Sequence, residues 1–257
     1  MPLKFSIITC TWNSAAYLDQ SIASVLMQDY PAADLEYIFV DGGSTDGTLE
    51  KIRALQRPYR LVENVRGGIS RAMNEGIKAA TGDVIAHLHS DDYYLDARVL
   101  STVARHLESS GRKWLFGRMM RVVDGKLEAE KYTAPRYTYA RLLANNFIPH
   151  PATFVRRELM NRAGGFDTKL KYAMDYDLWL KLAALEEPVQ LDQPLAAFRE
   201  HQGSLSTRDQ LPAMEEDFRV RMAHAGINPV ARALHYARYF VRRHRVVHEE
   251  TREEAQA

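Results

Sequence analysis

Alternating strand-like and helix-like segments are the feature of this chain that most restricts its fold. The strand-like segments are apolar or β-branched and lie at residues 5–10, 36–40, 59–62 and 84–88. The segments between them repeat apolar side chains at helical spacing and cover residues 15–28, 48–55 and 68–80. Because strands that alternate with helices pair mainly in parallel, the pattern predicts an α/β fold with a mixed, mostly parallel sheet flanked by helices.

In the second half of the chain, strand-like and helix-like segments no longer alternate regularly. Asp124-Gly125 separates strand-like segments at 114–123 and 126–132, which predicts a β-hairpin and an antiparallel addition to the sheet. Residues 189–198 favour a short strand pair. Helices are predicted at residues 97–109, 137–145, 157–162, 174–185 and from 211 onward, with a turn at 226–229.

Length and composition narrow the class of protein. The 257 residues are enough for one sizeable domain, predicted as residues 1–206, and a C-terminal helical extension, residues 207–257. A net charge of +1 gives no electrostatic basis for nucleic-acid binding. The single cysteine, Cys10, excludes an internal disulfide and fits a reducing compartment. No apolar run is long enough to span a bilayer and no signal-peptide cleavage pattern is present, so we expect a cytoplasmic location.

Two adjacent acids, Asp91 and Asp92, end the strand-like segment that begins near Asp83. In open α/β sheets ligands bind outside the carboxyl ends of the strands, and a bound hard cation relieves the repulsion between neighbouring carboxylates. A plain helix cap is the alternative, but capping needs one such side chain rather than two. A zinc site with His87 and His89 is a weaker alternative, because phosphate substrates prefer oxygen-bound magnesium or manganese.

A second acidic loop, Asp41 to Thr48, follows the strand at 36–40. Its glycines allow close approach of the backbone to a ligand. Asp46 has an alternative role as the cap of the next helix, whereas capping does not explain Asp41. Two acidic loops on one sheet predict a nucleotide and its metal, and therefore an enzyme.

Two later positions are candidates for chemistry. Asp175 opens a helix, where an acid stabilises the helix dipole, but where it is also placed to act as a general base on a sugar hydroxyl. His201 lies in a polar loop rich in Gly and Ser, and it is a candidate metal or diphosphate ligand.

The last candidate is the helical segment 230–248. It carries an apolar stripe and five arginines with no intervening acid. Contact of this helix with an anionic membrane surface and packing of the helix on the catalytic domain are both open alternatives.

The ordered motifs resemble those of the family-2 glycosyltransferases, which have the GT-A (Rossmann-like) fold. The motifs that carry the resemblance are 5–13, 41–48, 67–77, 81–83, 90–92, 165–167 and 175–180. The resemblance implies transfer of a sugar from a nucleotide-diphosphate sugar to a glycan or lipid-linked acceptor, with inversion at the anomeric carbon and with Mn²⁺ or Mg²⁺. It is strongest to members that build bacterial exopolysaccharide, O-antigen or capsule, which would place the chain in the cytoplasm or at the inner face of the membrane.

The resemblance also implies roles for single residues. The residues that would line the nucleoside pocket are Thr9, Asn13, Asp41 and Asp46. Asp92 would bind the cation, Asp91 would contact the ribose or the metal, and Asp175 would be the catalytic base.

Three positions depart from the family pattern. They are Gly42, which replaces a common acid, Met174, which replaces a common Glu, and Arg71, which replaces a common Asp and would face a phosphate or the acceptor. A non-catalytic sugar-nucleotide-binding or scaffold protein with the same fold is the alternative to an enzyme.

Overall fold

The computed structural model describes residues 2–130, 134–200 and 209–254, and it has the predicted α/β architecture. Within the described residues the strands are β1 (Phe5–Thr11), β2 (Leu35–Asp41), β3 (Arg60–Val62), β4 (Val84–His87), β5 (Tyr93–Tyr94), β6 (Trp114–Val123), β7 (Lys126–Ala129), β8 (Thr153–Arg156) and β9 (Val189–Arg199). The helices there are α1 (Leu18–Leu26), α2 (Thr48–Arg53), α3 (Ile69–Ala79), α4 (Val99–Ser110), α5 (Tyr139–Ala144), α6 (Arg157–Ala163), α7 (Met174–Leu185), α8 (Gln210–His224) and α9 (Pro229–Glu254).

All described strands form one mixed sheet. Its order is β3-β2-β1-β4-β8-β6-β9-β5, with β7 paired to β6. The first four strands are parallel, as the alternation predicts. The short strand β8 then inserts antiparallel between β4 and β6, and thereby joins the parallel half to the later strands.

The parallel half is built from strands that are apolar on both faces. All seven residues of β1 are buried, because helices cover the sheet on both sides. One core cluster packs α1 and α4 on one face through residues such as Leu18 and Leu107. The other packs α3, α6 and α7 on the opposite face through residues such as Met73 and Trp179. Cys10 is buried in the second cluster, and burial raises the pKa of its thiol to about 12.

The predicted hairpin is confirmed, with β6 and β7 pairing antiparallel around Asp124 and Gly125. Both turn residues have positive φ angles, 50° and 76°, which suits the tight two-residue turn.

The predicted strand pair at 189–198 is wrong, because β9 is one continuous strand. The polar stretch ending in Pro194 does not turn back; Pro194 pairs with Arg118 at a register irregularity between β6 and β9 where the extra residues lie in β9. Such an irregularity accommodates a proline inside a sheet. Gly117 permits the close packing there, since a Cβ on it would lie 2.5 Å from Leu195 Cγ.

In the part of the chain after β9 that the structure describes there are two helices, as predicted from residue 211 onward. The predicted boundary at 206 falls in residues 201–208, outside the described ranges, and the division into residues 1–206 and 207–257 stays a prediction. Helix α8 packs on α7, and the buried carboxylate of Glu216 accepts hydrogen bonds from the backbone N–H groups of Lys171, Tyr172 and Ala173. None of the described helices combines the length and apolarity needed to cross a bilayer.

Candidate active site

The predicted acidic loops lie at one edge of the sheet. Strands β1 and β2 pair in parallel with Thr11 opposite Asp41, and β1 also pairs in parallel with β4, with Ile8 opposite His87. The loops after β1, β2 and β4 therefore emerge side by side at the carboxyl edge, where open α/β sheets bind ligands.

Asp41 is buried and holds the shape of the loop that follows it. Its Oδ1 accepts hydrogen bonds from the N–H groups of Gly43 and Ser44 at 2.8 and 2.9 Å. Its Oδ2 accepts from the hydroxyls of Thr11 at 2.9 Å and Ser44 at 2.5 Å. Burial opposes ionisation, but these hydrogen bonds outweigh it and lower the pKa of the carboxyl. Asp41 thus has a structural role that its position in the sequence does not reveal.

Asp46 and Asn13 join the loop after β2 to the loop after β1. Asp46 accepts hydrogen bonds from Thr48 N at 3.1 Å and Ala15 N at 3.0 Å, while the side chain of Asn13 accepts from Thr45 N at 2.9 Å. The hydroxyl of Thr48 also bonds Asp46 and lowers the pKa of its carboxyl. Asp46 therefore does stabilise the start of α2, and it also fixes the rim of the predicted nucleoside pocket.

Thr9 and Trp12 occupy contrasting positions on this edge. Thr9 is fully buried and its hydroxyl donates to the carbonyl of Leu88 at 2.7 Å, so a nucleoside contact from Thr9 rests on the family resemblance alone. Trp12 is 71% exposed and lies beside Gly42. Trp12 was not among the predicted site residues, although a tryptophan directly after a buried strand is a sequence signal for a ligand-binding position at this edge.

Asp92 is buried at the turn after β4, and one of its oxygens is satisfied. Its Oδ1 accepts from Arg199 N at 3.2 Å, whereas no described residue bonds its buried Oδ2. Burial, followed by the charge of Asp91, raises the pKa of Asp92 well above its ordinary value. Neither acid caps α4 through a described hydrogen bond; Asp96 bonds Arg98 N near the start of that helix instead.

Arg199, at the end of β9, binds the same turn and is a site residue that the sequence argument missed. Its guanidinium donates to the carbonyl of Asp91 at 3.3 Å and to the side chain of Gln20, and it lies 4.4 Å from the centre of the Tyr17 ring. The end of β9 is thereby fixed against the metal-motif turn and α1.

The histidines near this turn form a packed cluster in which His87 is buried and His89 and His150 are partly buried. His150 stacks on His89 with ring centres 4.9 Å apart and lies 5.7 Å from His87. Burial lowers the pKa of all three, that of His87 to about 3. Among the described residues no three His, Cys, Asp or Glu side chains are arranged to hold a metal, so the zinc alternative gains no support. His201, the predicted metal ligand, lies outside the described ranges.

Asp175 lies in the first turn of α7 and is partly buried. Its Oδ2 accepts a hydrogen bond from the Asn146 amide at 3.4 Å. Burial raises the pKa of Asp175 to about 6, and the charge of Asp217 on α8 adds to the rise. Asp177, the other acid of this turn, is instead paired with Lys181 and His224.

Ring contacts connect the metal-motif turn to the helix of Asp175. His150 contacts both His89 and Trp179, with ring centres 4.9 and 5.7 Å apart. Trp179 lies one turn after Asp175 on α7. Packing therefore links the metal-motif turn to helix α7, and a shared site for the metal acids and the base stays a prediction.

Arg71 lies apart from these contacts. It is exposed at the start of α3, and it lines a groove of about 660 Å³ between α3 and the Gly164-Gly165 turn. No described hydrogen bond joins Arg71 to Asp91 or Asp92, so its predicted contact with a phosphate or acceptor stays a prediction.

Comparison with known proteins agrees with this fold. Residues 6–163 match the family described as glycosyl transferase family 2. An uncharacterised glycosyltransferase of Mycobacterium tuberculosis is 30% identical over 197 residues, which span 75% of this chain and 74% of that protein. A PGL/p-HBAD biosynthesis glycosyltransferase of Mycobacterium bovis is 32% identical and covers 67% of each chain. Chondroitin synthase of Pasteurella multocida is 32% identical over 69% of this chain and 18% of its own length.

Solved structures share the fold. TarS 1–349 of S. aureus in complex with UDP-GlcNAc superposes with a TM-score of 0.73 at 23% identity, covering 93% of this chain and 72% of the TarS 1–349 chain. A mannosyltransferase of Pyrobaculum calidifontis in complex with GDP-Man and Mn²⁺ superposes with a TM-score of 0.70 at 20% identity, covering 93% of this chain and 70% of the mannosyltransferase chain.

Proposed function

Because this chain belongs to glycosyl transferase family 2, we propose that it transfers a sugar from a nucleotide-diphosphate sugar to a hydroxyl of a glycan or lipid-linked acceptor. The proposed reaction proceeds with inversion at the anomeric carbon and depends on a divalent cation, Mn²⁺ or Mg²⁺. The observation that carries this proposal is the buried Oδ2 of Asp92, which no described residue bonds, beside Asp91 at the sheet edge where the loops after β1 and β2 also lie.

The donor's nucleoside would lie over the loops after β1 and β2, which are hydrogen-bonded to each other. Their frame is held by Asp41, Asp46 and Asn13, so it is ordered before the donor arrives and little ordering entropy is lost on binding. The exposed ring of Trp12 offers a flat apolar face on which a nucleobase can stack. The UDP-GlcNAc and GDP-Man complexes of the structural neighbours support a nucleotide-sugar donor.

The residues present fit a hard divalent cation. Asp92 Oδ2 is an oxygen ligand that lacks a described partner, and ionisation of Asp92 is disfavoured until a positive charge compensates it. Asp91 would assist Asp92, and the donor's phosphate oxygens would complete the coordination. Once bound, such a cation neutralises charge on the departing diphosphate.

Asp175 would act as the base. Its carboxylate would accept the proton of an acceptor hydroxyl while that oxygen attacks the anomeric carbon from the face opposite the diphosphate. The amide of Asn146 orients Asp175 by donating to its Oδ2. A pKa of about 6 suits a base that works near neutral pH, because it is ionised there yet more basic than an ordinary aspartate.

The acceptor class is proposed from the relatives. Chondroitin synthase supports a polysaccharide product, and the PGL/p-HBAD biosynthesis enzyme supports a glycosylated lipid. Both fit synthesis of a cell-surface glycan.

Thermal unfolding with a panel of nucleoside diphosphates, with and without Mn²⁺, tests the donor site. We expect one nucleotide to raise the melting temperature only when Mn²⁺ is present, because a ligand that binds the folded state stabilises it. Asp92→Asn should lose this stabilisation. Asp192→Asn is the matched control, since Asp192 is an almost fully exposed carboxylate on β9.

Release of nucleoside diphosphate from nucleotide sugars tests the catalytic step. Asp175→Asn should keep the nucleotide-dependent stabilisation but lose turnover by about 10²–10⁴-fold. Full activity in either Asp92→Asn or Asp175→Asn would remove the role assigned to that residue. Nucleotide binding by the wild type without transfer to any acceptor would instead favour a non-catalytic binding protein.

A further inference from the structure

Helix α9 turns an apolar stripe towards solvent. Its exposed members are Val230 (68%), Leu234 (54%) and Val241 (55%), with Phe240 (61%) on the border. Val230 lies four residues before Leu234 and Val241 seven residues after it, and this spacing places the three side chains on one side of the helix. Ile227, in the turn before the helix, adds a further exposed apolar side chain.

The opposite side of α9 packs on α8. Tyr239 stacks on Phe218 with ring centres 4.2 Å apart, and His235 is buried. Arg232 donates to the carbonyls of Met222 and Gly226 at 3.1 and 3.0 Å, which fixes the start of the helix. Of the two alternatives left by the sequence, α9 does pack on the preceding helix, but it uses the other face and leaves the apolar stripe outside.

The stripe lies in a strongly cationic segment. Residues 229–248 contain five arginines and no acid, although the whole chain has a net charge of only +1. Arg238 is exposed and follows Leu234 by one helical turn, at the edge of the stripe. Arg243 approaches Glu215 on α8 at 4.0 Å, so part of this charge is balanced from within the molecule.

We propose that the outer face of α9 docks on an anionic lipid bilayer, with its apolar stripe in the interface and Arg238, at the edge of the stripe, on the headgroups. Apolar area and attraction to anionic lipids are the two terms that hold such a helix at a membrane surface. A second copy of this chain fits less well, because pairing the stripes would bring two acid-free arginine segments together. The enzyme would then meet its acceptor at the membrane surface.

Co-sedimentation of the full chain with vesicles tests the proposal independently of glycosyl transfer. Binding is expected to vesicles that contain phosphatidylglycerol and not to vesicles of phosphatidylcholine alone, and it should weaken as salt rises. The double variant Leu234→Glu, Val241→Glu should bind at least about tenfold more weakly, because charge enters the apolar stripe. Arg238→Gln should lose roughly fivefold, equivalent to about 1 kcal/mol for one arginine near the surface.

The matched control is Met27→Glu, Leu127→Glu. It adds the same charge at two exposed apolar positions away from α9 and should bind vesicles like the wild type. Nucleotide-dependent thermal stabilisation should be unchanged in all these variants, which separates this proposal from the proposed catalytic function. No binding by the wild type, or equal loss in the control, would overturn the proposal. A wild-type dimer that becomes monomeric in the stripe variant, without vesicle binding, would assign the stripe to a second copy.

Discussion

At the scale of single residues, Asp175 is a carboxylate in surroundings that favour its protonated form. Its folded-state pKa of about 6 lies above the ordinary value, so ionisation costs more in the folded than in the unfolded protein. The resulting destabilisation is absent below about pH 4 and complete above about pH 6 to 7. This is the direction expected when a site is arranged for activity at some cost to stability.

Asp175→Asn should therefore stabilise the protein while it removes transfer. At about pH 7.5 we expect a gain in the free energy of unfolding of about 1–2 kcal/mol, after allowance for partial exposure to solvent. The gain should shrink towards about pH 4, where the aspartate is protonated in both states. Urea unfolding at several pH values measures it. A constant difference across this range would contradict the raised pKa.

The pH dependence of transfer gives a second prediction from the same residue. If Asp175 is the base, kcat/KM should rise with pH and level off above an apparent pKa near 6. Measurements of kcat/KM on the wild type across this pH range, with Asp192→Asn as control, give the apparent pKa of the rise. An unchanged rate from about pH 5 to 8 would exclude Asp175 as the titrating base.

Trp12 gives a prediction about donor affinity. Trp12→Ala should weaken nucleotide binding by about 1–3 kcal/mol, the usual loss when one stacking face is removed. Trp12→Phe should retain part of the affinity, because it keeps an aromatic face. Calorimetry with the stabilising nucleotide and Mn²⁺ measures both variants. Equal affinity in Trp12→Ala and the wild type would place the base elsewhere.

At the scale of elements, α8 supports the loop that leads into α7. One oxygen of Glu216 accepts from three consecutive backbone N–H groups, those of residues 171–173, just before Asp175. The sequence marks α8 as a helix but does not show this contact, because it joins residues more than forty positions apart.

Glu216→Ala should lower the free energy of unfolding by about 2–4 kcal/mol, because it leaves buried N–H groups without a partner. Glu216→Gln should lose less, since its amide oxygen still accepts. Glu215→Ala is the matched control, as Glu215 is exposed on the same helix. Chemical denaturation measures all three, and similar losses at 215 and 216 would show that the amide contacts contribute little.

Strands differ in how well the sequence predicts them. The strands β1, β2 and β4 are apolar runs between helices, and local pattern was enough to place them. Strand β8 was missed because four residues after a short 3₁₀ helix carry little pattern, and its pairing with both β4 and β6 is set by tertiary packing. The continuous course of β9 was missed because Pro194 suggests a turn unless the register irregularity between β9 and β6 is known.

At the scale of the whole molecule, the site draws on both halves of the sheet. The nucleoside loops follow β1 and β2 in the parallel half, whereas Arg199 closes the metal-motif turn from β9 in the other half. The sequence pointed to Asp41, Asp91 and Asp92 because each follows a strand, and to Asp175 because it opens a helix. It did not predict Arg199 or His150, since their role depends on where distant elements come together.

Nucleotide binding should therefore slow amide hydrogen exchange in both halves of the sheet. With the stabilising nucleotide and Mn²⁺, we expect slower amide hydrogen exchange at residues 42–46 and also at 91–92 and 199–200. Mass spectrometry of exchanged peptides measures this, with the hairpin around Asp124 as an internal control. Protection confined to residues 42–46 would separate nucleoside binding from the metal-motif turn.

Gly42 shows how donor preference could change without cost to the fold. A Cβ at this position would meet Trp12 Cδ1 at 3.4 Å and Thr11 O at 3.6 Å, both ordinary contact distances, and φ there is not in the left-handed region. The side-chain hydrogen bonds that set the frame of the loop come from its neighbours, and residue 42 contributes only its backbone N–H, which donates to Thr11 O at 2.9 Å and does not depend on the side chain. A side chain can therefore be gained or lost at this position while the surrounding architecture is inherited intact, and we expect the nucleobase preference of a family member to change with it.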